Sequence, residues 1–334
     1  MDRLLKEQVL KTIRSYEMLG PGTKVIVALS GGPDSVFLFY ALMALKSKLK
    51  IKDIAVCHID HGLRGRESRA DSAFTKELCA KFGVKFFEKK VNLKKAKSDG
   101  LSTEERAREM RYRFYKEIAE KLGARVVATG HTLDDQAETV LMRIIKGSAL
   151  KGIVGIPPAR EEGKVKFIRP LIALEKRAIR EWLDSEKLSY RIDATNLENI
   201  YFRNTVRNEI IPYLEKYNPR LKRVLFNLAE HLREDFEFIE NEKLKIKGII
   251  GRQRRGRFEI ELKKIAVQPK ALQKEILRDA LERSGGAVKR LSYRHWKDME
   301  RFIKYNRRGS SLDLPGGVRV SRTDSSLIFE HRPS

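Results

Sequence analysis

The sequence predicts an α/β protein with a doubly wound, mainly parallel sheet, followed by a helical, basic C-terminal domain. Three observations carry this expectation. Short apolar runs alternate with helical patterns through residues 24–146, as parallel strands and crossover helices do. The first apolar run enters a glycine-rich turn and leaves it as a helix. Beyond about residue 175 the pattern turns mainly helical, and half of the excess positive charge falls in residues 241–334. The expected division is one domain over 1–215 and a second over 216–334.

Residues 1–19 form an amphipathic helix with Leu4, Leu5, Val9, Leu10 and Ile13 on one face, stopped by Gly20-Pro21-Gly22. A strand at 24–29 precedes a helix at 35–48. Residues 54–59 form the second strand, Asp60 to Arg66 a polar loop, and 67–82 a helix. Residues 84–87 are a third strand. The capping box Ser102-Thr103-Glu104-Glu105 opens a helix running to Leu122. Residues 125–130 are the fourth strand, and a helix runs over 134–146. Helices follow at 175–187, 204–217 and 219–245. A hairpin at 249–262, helices at 269–284 and 293–305, and two short strands around Pro315-Gly316-Gly317 complete the chain.

The turn after the first strand reads Ser30-Gly31-Gly32-Pro33-Asp34-Ser35. Amides at the start of a helix lack intrahelical partners, and the helix dipole favours anions there. Gly31 and Gly32 let the backbone curl close to a ligand, and Ser30 and Ser35 add hydroxyl donors. Asp34 is the odd member, since a carboxylate beside phosphates needs a cation between them. The bland alternative is a helix cap on Asp34 or Ser35. The string matches neither the G-x-x-x-x-G-K-[ST] nor the G-x-G-x-x-G spacing.

Four further strings join it. His58-Ile59-Asp60-His61-Gly62-Leu63-Arg64 follows the second strand; its alternating side chains disfavour zinc, and Arg64 can reach phosphate oxygens. Arg108, Arg111 and Tyr112 share one helix face, which alone reads as a salt-bridged surface. Gly130-His131-Thr132-Leu133-Asp134-Asp135-Gln136-Ala137-Glu138 sets carboxylates at a helix start. Asp134 or Asp135 caps that helix, or the group with Glu138 suits magnesium or an amine. Arg203 and Arg207, spaced i, i+4, point one way; Asp193 and Asn196 upstream can close an Asx turn.

Of 334 residues, 70 are Lys or Arg and 45 Asp or Glu, a net charge of +25. Residues 241–334 hold 24 basic against 11 acidic residues. Such a balance points to a polyanion, chiefly nucleic acid. Arg252, Arg254 and Arg255 mark the densest cluster, a candidate phosphate-contacting loop. The two cysteines, Cys57 and Cys79, form no C-x-x-C, against a disulfide framework or structural zinc. No apolar run approaches the roughly 18 residues of a membrane span, and no signal peptide is seen, so a cytoplasmic location is expected.

Taken together the strings resemble the tRNA(Ile)-lysidine synthetase family, within the PP-loop N-type ATP pyrophosphatases. The matching pieces are residues 30–35, 58–64, 105–112, 130–139, Arg169-Pro170-Leu171, 193–196 and Arg203-Asn204. The resemblance implies an adenine-nucleotide α-hydrolase-like fold. It implies ATP-dependent ligation of L-lysine to the wobble cytidine of the isoleucine tRNA with a CAU anticodon, through an adenylated cytidine. ATP and Mg²⁺ are the implied co-substrate and metal. Ser30, Gly31, Gly32, Pro33, Asp34, Ser35, His58, Arg108 and His131 would bind ATP. Asp34 would contact Mg²⁺ and, with Asp134, Asp135 and Glu138, serve the chemistry. Arg64, Arg111, Arg203, Arg207, Arg252, Arg254 and Arg255 would bind tRNA. No membrane is expected as a partner, and a homodimer is admitted. The further C-terminal domain of longer members is not expected. The rival readings are a PP-loop tRNA thiolase and a non-catalytic RNA-binding protein.

Overall fold

The structure is a computed structural model describing residues 2–60, 66–91, 103–191, 202–254, 257–305 and 308–331. It falls into two compact units, Met1–Glu230 and His231–Ser334.

In the first unit α1 (Arg3–Ser15) leads to β1 (Lys24–Ala28), α2 (Pro33–Leu45), β2 (Asp53–Asp60), α3 (Arg66–Lys81) and β3 (Lys85–Lys90). Then come α4 (Thr103–Leu122), β4 (Val126–Ala128), α5 (Leu133–Ile145) and α6 (Leu150–Ile153). The hairpin β5 (Ala159–Glu162) and β6 (Val165–Ile168) precedes α7 (Lys176–Ser185). The sheet order is β3-β2-β1-β4-β6-β5, parallel except for β5. Strand order therefore reverses between β1 and β4. That reversal opens the crevice at the carboxyl ends of the strands where open α/β sheets bind ligands.

Successive strand residues face opposite layers. Val25, Val27, Val56 and Val126 face the layer containing α2, while Ile26, Cys57, Val127 and Phe167 face α4 through Phe114, Tyr115 and Ile118. Helix α2 is apolar nearly all round because it is covered nearly all round: Val36, Phe37, Leu38, Phe39, Ala41, Leu42 and Leu45 are fully buried. Phe37 meets Trp182 of α7 edge-on at 5.2 Å. Both cysteines lie in these cores, in β2 and α3.

Beyond two short helices, α6 and one at Leu262–Ala266, three regions differ from expectation. The β5–β6 hairpin was not anticipated, because Ala159 to Glu162 is mostly charged; a two-residue turn with Gly163 at φ +66° joins the strands. The helix expected over 204–217 is broken into α8 (Phe202–Thr205), a π-helical segment (Val206–Ile210) and α9 (Ile211–Glu215). Pro212 is the reason: it has no N–H to donate, and its ring displaces the carbonyl four residues back. The turn widens, and Ile211 N–H donates to Val206 O.

Helix α10 (Leu221–Ile250) carries the chain into the second unit. There β7 (Gly251–Arg254), β8 (Arg257–Glu261), α11 (Leu262–Ala266), α12 (Lys270–Arg283), α13 (Tyr293–Tyr305), β9 (Ser311–Leu314), β10 (Val318–Arg322) and β11 (Ser326–His331) follow. The five strands form an antiparallel sheet, β7-β8-β11-β10-β9. The two strands expected near Pro315 are thus three. The β10–β11 turn at Thr323–Ser326 was missed because it contains no Gly or Pro, its place being held by Thr323 Oγ1 accepting from Ser326 N–H. Phe258, Ile260, Val320, Leu327 and Phe329 pack on Leu277, Leu281, Trp296 and Phe302 in the core of this unit.

Candidate active site

The site is built on the two strands flanking the reversal. At the end of β1, Leu29 O accepts from His58 Nδ1 at 2.8 Å, so buried His58 ties β1 to β2. Gly31 then turns with φ +90°, and its carbonyl accepts from Arg191 N–H. Ser35 closes the turn: its Oγ accepts from Ser30 N–H at 3.1 Å and donates to Gly32 O at 2.9 Å. Pro33 opens α2 and lacks an N–H, which leaves the amides of Asp34 and Ser35 at a positive helix end without a carbonyl one turn back. Gly130, after β4, is required by close approach: a Cβ there would lie 3.1 Å from the Asp34 carbonyl.

The acidic string divides its work. Thr132 is the N-cap of α5, and Asp135 completes a capping box by accepting from Thr132 N–H and Oγ1–H, both at 2.9 Å. Asp134 instead caps α7, accepting Lys176 N–H at 2.8 Å, and pairs with Lys222 at 3.0 Å. Glu138 is buried, and both its oxygens accept from guanidinium groups: Arg207 Nε at 2.6 Å and Arg203 Nε at 2.8 Å. The i, i+4 arginines thus do point one way, toward this carboxylate.

Sequence reasoning missed Lys176. Its ammonium lies 2.9 Å from Asp135 Oδ1 and 3.8 Å from Asp34 Oδ2. The available signal was a lysine at the first position of a helix, where the dipole disfavours a cation. Burial alone would raise the Asp135 carboxyl, but Lys176 and Arg203 outweigh it and hold it well below the usual carboxylate range. Burial also dominates at Asp34, pushing it up to about 7 against the pull of Lys176. Asp34 Oδ1 is buried and has no hydrogen-bond partner among the described residues. His131 donates from or accepts at Nδ1 with Thr129 Oγ1 at 2.9 Å, and burial pushes its imidazole down to about 3, so the ring is neutral.

On the α4 face of the sheet, Arg108 stacks on Tyr112 at 4.9 Å and donates to its phenol oxygen at 3.3 Å. Arg64 and Arg255 lie outside the described residues, as do His61, Asp193, Asn196 and Ser102. Arg252 and Arg254 are in β7 of the second unit.

A glycine loop at the reversal of a parallel sheet, with helix-start amides and a buried carboxylate beside it, defines a nucleotide-binding protein of the PP-loop class. The family model of the PP-loop domain matches residues 2–214, and the model of the TilS substrate binding domain matches residues 261–327. The chain belongs to the tRNA(Ile)-lysidine synthase family. It is 35% identical over 329 residues to the tRNA(Ile)-lysidine synthase of Clostridioides difficile (strain 630), covering 98% of this chain and 70% of that protein. It is 34% identical over 328 residues to the enzyme of that name from Persephonella marina (strain DSM 14350 / EX-H1), again covering 98% and 70%. In fold it is similar to the U34-tRNA thiolase NcsA from Methanococcus maripaludis, with a TM-score of 0.58 and 22% identity over 69% of this chain and 78% of that one. Among the described residues no helix is long and apolar enough to cross a membrane.

Proposed function

We propose that this chain ligates L-lysine to the wobble cytidine of the isoleucine tRNA with a CAU anticodon, using ATP and acting in the cytoplasm. In the first step the carbonyl oxygen at ring position 2 bonds to the α-phosphorus, and the bond from that phosphorus to the bridging oxygen breaks, releasing pyrophosphate. In the second the lysine ε-amine bonds to the ring carbon, the carbon–oxygen bond breaks, AMP leaves and the amine loses a proton. The first step makes a poor leaving group a good one.

The glycine loop supports the first step. Ser30, Ser35 and the amides of Asp34 and Ser35 suit pyrophosphate oxygens and the charge that develops on them. The unpartnered buried Oδ1 of Asp34 fits one contact to Mg²⁺, an ion that usually takes one or two carboxylates plus substrate phosphates. When bound, Mg²⁺ would neutralise charge on the leaving pyrophosphate. For the second step Asp135 is our choice to meet the lysine amine, because its Oδ1 already holds the ammonium of Lys176 beside Asp34. Asp134 is committed to a helix cap, and Glu138 positions Arg203 and Arg207. His58 and His131 shape the ATP side of the crevice, neutral His131 without adding charge.

The thiolase reading finds no support in the cysteines. Both are buried on separate elements, and burial pushes both thiols up to about 12. The observation that carries the proposal is the Asp34–Lys176–Asp135 cluster beside a glycine loop, in a chain of this family. ATP-dependent formation of lysine-bearing tRNA tests it; sulfur transfer or AMP formation without lysine ligation overturns it.

A further inference from the structure

Arg169, the residue after β6, is 1% exposed and the largest fully buried side chain among the described residues. A buried guanidinium normally faces a carboxylate, since an uncompensated charge in a dry interior is costly. Arg169 has none among the described residues. It donates to Pro157 O at 2.6 Å, its charge acts on the nearby Tyr112 phenol, and its Nε has no partner. Above it the Tyr112 ring packs on Phe167 at 4.6 Å. Arg108 lies 4.9 Å and Arg160 5.7 Å from the centre of that ring. Arg108 has no carboxylate partner among the described residues, and Arg160 shares Glu162 with Lys116. Buried Arg111 Nε, one residue from Tyr112, is likewise unpartnered.

Three guanidinium groups, of Arg108, Arg160 and Arg169, thus gather around one phenol, and among the described residues the one carboxylate paired with them is Glu162. They lie at the carboxyl edge of the sheet, because α4 runs back from that edge and Arg169 follows β6. The glycine loop begins α2, on the other face. A region this unbalanced in charge is suited to an anion.

We propose that Arg108 and Arg160, stacked on Tyr112 and backed by buried Arg169, form a second phosphate subsite. It takes a phosphodiester of the RNA strand next to the base being modified. Arg108 was expected at ATP, and its stacking on the face away from α2 favours the RNA instead. Arg169 is a positioning residue: anchored on Pro157 O, it holds its charge beside the Tyr112 phenol, on whose ring the outer arginines lie. The inference rests on the tRNA reading above.

The test is direct binding of an isoleucine tRNA transcript to the full chain over a salt series, without ATP, with the KM for ATP measured separately. Arg108 is exposed and the Arg160 side chain is 42% exposed, so Arg108→Gln and Arg160→Gln should leave the fold intact. Each should weaken tRNA binding about tenfold and lower the slope of log affinity against log salt by roughly 0.7 to 0.9. Arg108→Lys, which keeps the charge, should restore most of the slope. The KM for ATP should not change. A raised KM for ATP with unaltered tRNA binding would assign the arginines to the nucleotide and overturn the inference. So would wild-type salt slopes in both variants. Failure of the functional reading itself looks different: the unaltered protein would not ligate lysine at all.

Discussion

Lys176 holds the first position of a helix, where the dipole disfavours a cation, because Asp34 and Asp135 face it. At this scale the site is a set of charges arranged around one resident ammonium. Asp34 sits 3.8 Å from that ammonium, with one oxygen unpartnered, so its carboxylate does little for stability. Asp34→Ala should therefore lower lysine ligation on the order of 10²-fold or more while leaving the thermal midpoint nearly unchanged. An active Asp34→Ala protein would remove Asp34 from the chemistry. His131 carries a pH prediction. Its folded value of about 3 lies below the ordinary 6.5, so the unfolded chain takes up the proton first as pH falls. Its contribution is complete above about pH 6.5 and shrinks toward pH 3, by up to about 1.4 kcal/mol per pH unit. Urea unfolding across that window should show a flatter profile for His131→Gln than for the unaltered protein; parallel profiles would mean the imidazole is not held neutral. The candidate residues in the glycine loop and acidic string were legible because their types are rare at a strand end. Their division of labour was not. Asp134 and Asp135 are adjacent in sequence, yet one caps α7 and the other α5, a choice made by Lys176, 42 residues along the chain from Asp134.

Elements follow from periodicity where one face is buried, and they escape it where polar content or a proline intervenes. The parallel strands and α2 were readable as apolar runs, since burial on both sides demands them. The β5–β6 hairpin was not, because an edge strand carries charge without cost. The π-helical turn before Pro212 was hidden by an otherwise helical pattern. Two substitutions test what these elements do. Phe37→Ala in α2 should cost about 3–5 kcal/mol in chemical denaturation, because it opens a cavity against Trp182 under the glycine loop. Asp134→Ala should cost about 1 kcal/mol, as lost caps do. It should leave the KM for lysine unchanged, whereas Asp135→Asn should raise it with the KM for ATP near normal. A raised lysine KM in Asp134→Ala alone would reverse the roles assigned to the two carboxylates.

For the whole molecule the uneven charge is the guide. Residues 241–334 carry 24 basic and 11 acidic residues, and the substrate-binding family model matches 261–327. We assign the grip on tRNA chiefly to this unit and the chemistry to the first. Truncation after Glu230, at the boundary between the compact units, should keep ATP binding, weaken tRNA binding and flatten its salt dependence. Unchanged tRNA affinity would contradict that division. The protein, ATP, Mg²⁺ and labelled lysine are incubated with a mixture of tRNA transcripts, and label, AMP and pyrophosphate are counted. The account predicts label only in the isoleucine tRNA with the CAU anticodon, with one AMP and one pyrophosphate released for each lysine joined. Label spread over the other tRNAs, or nucleotide cleavage with no lysine joined to RNA, would contradict it.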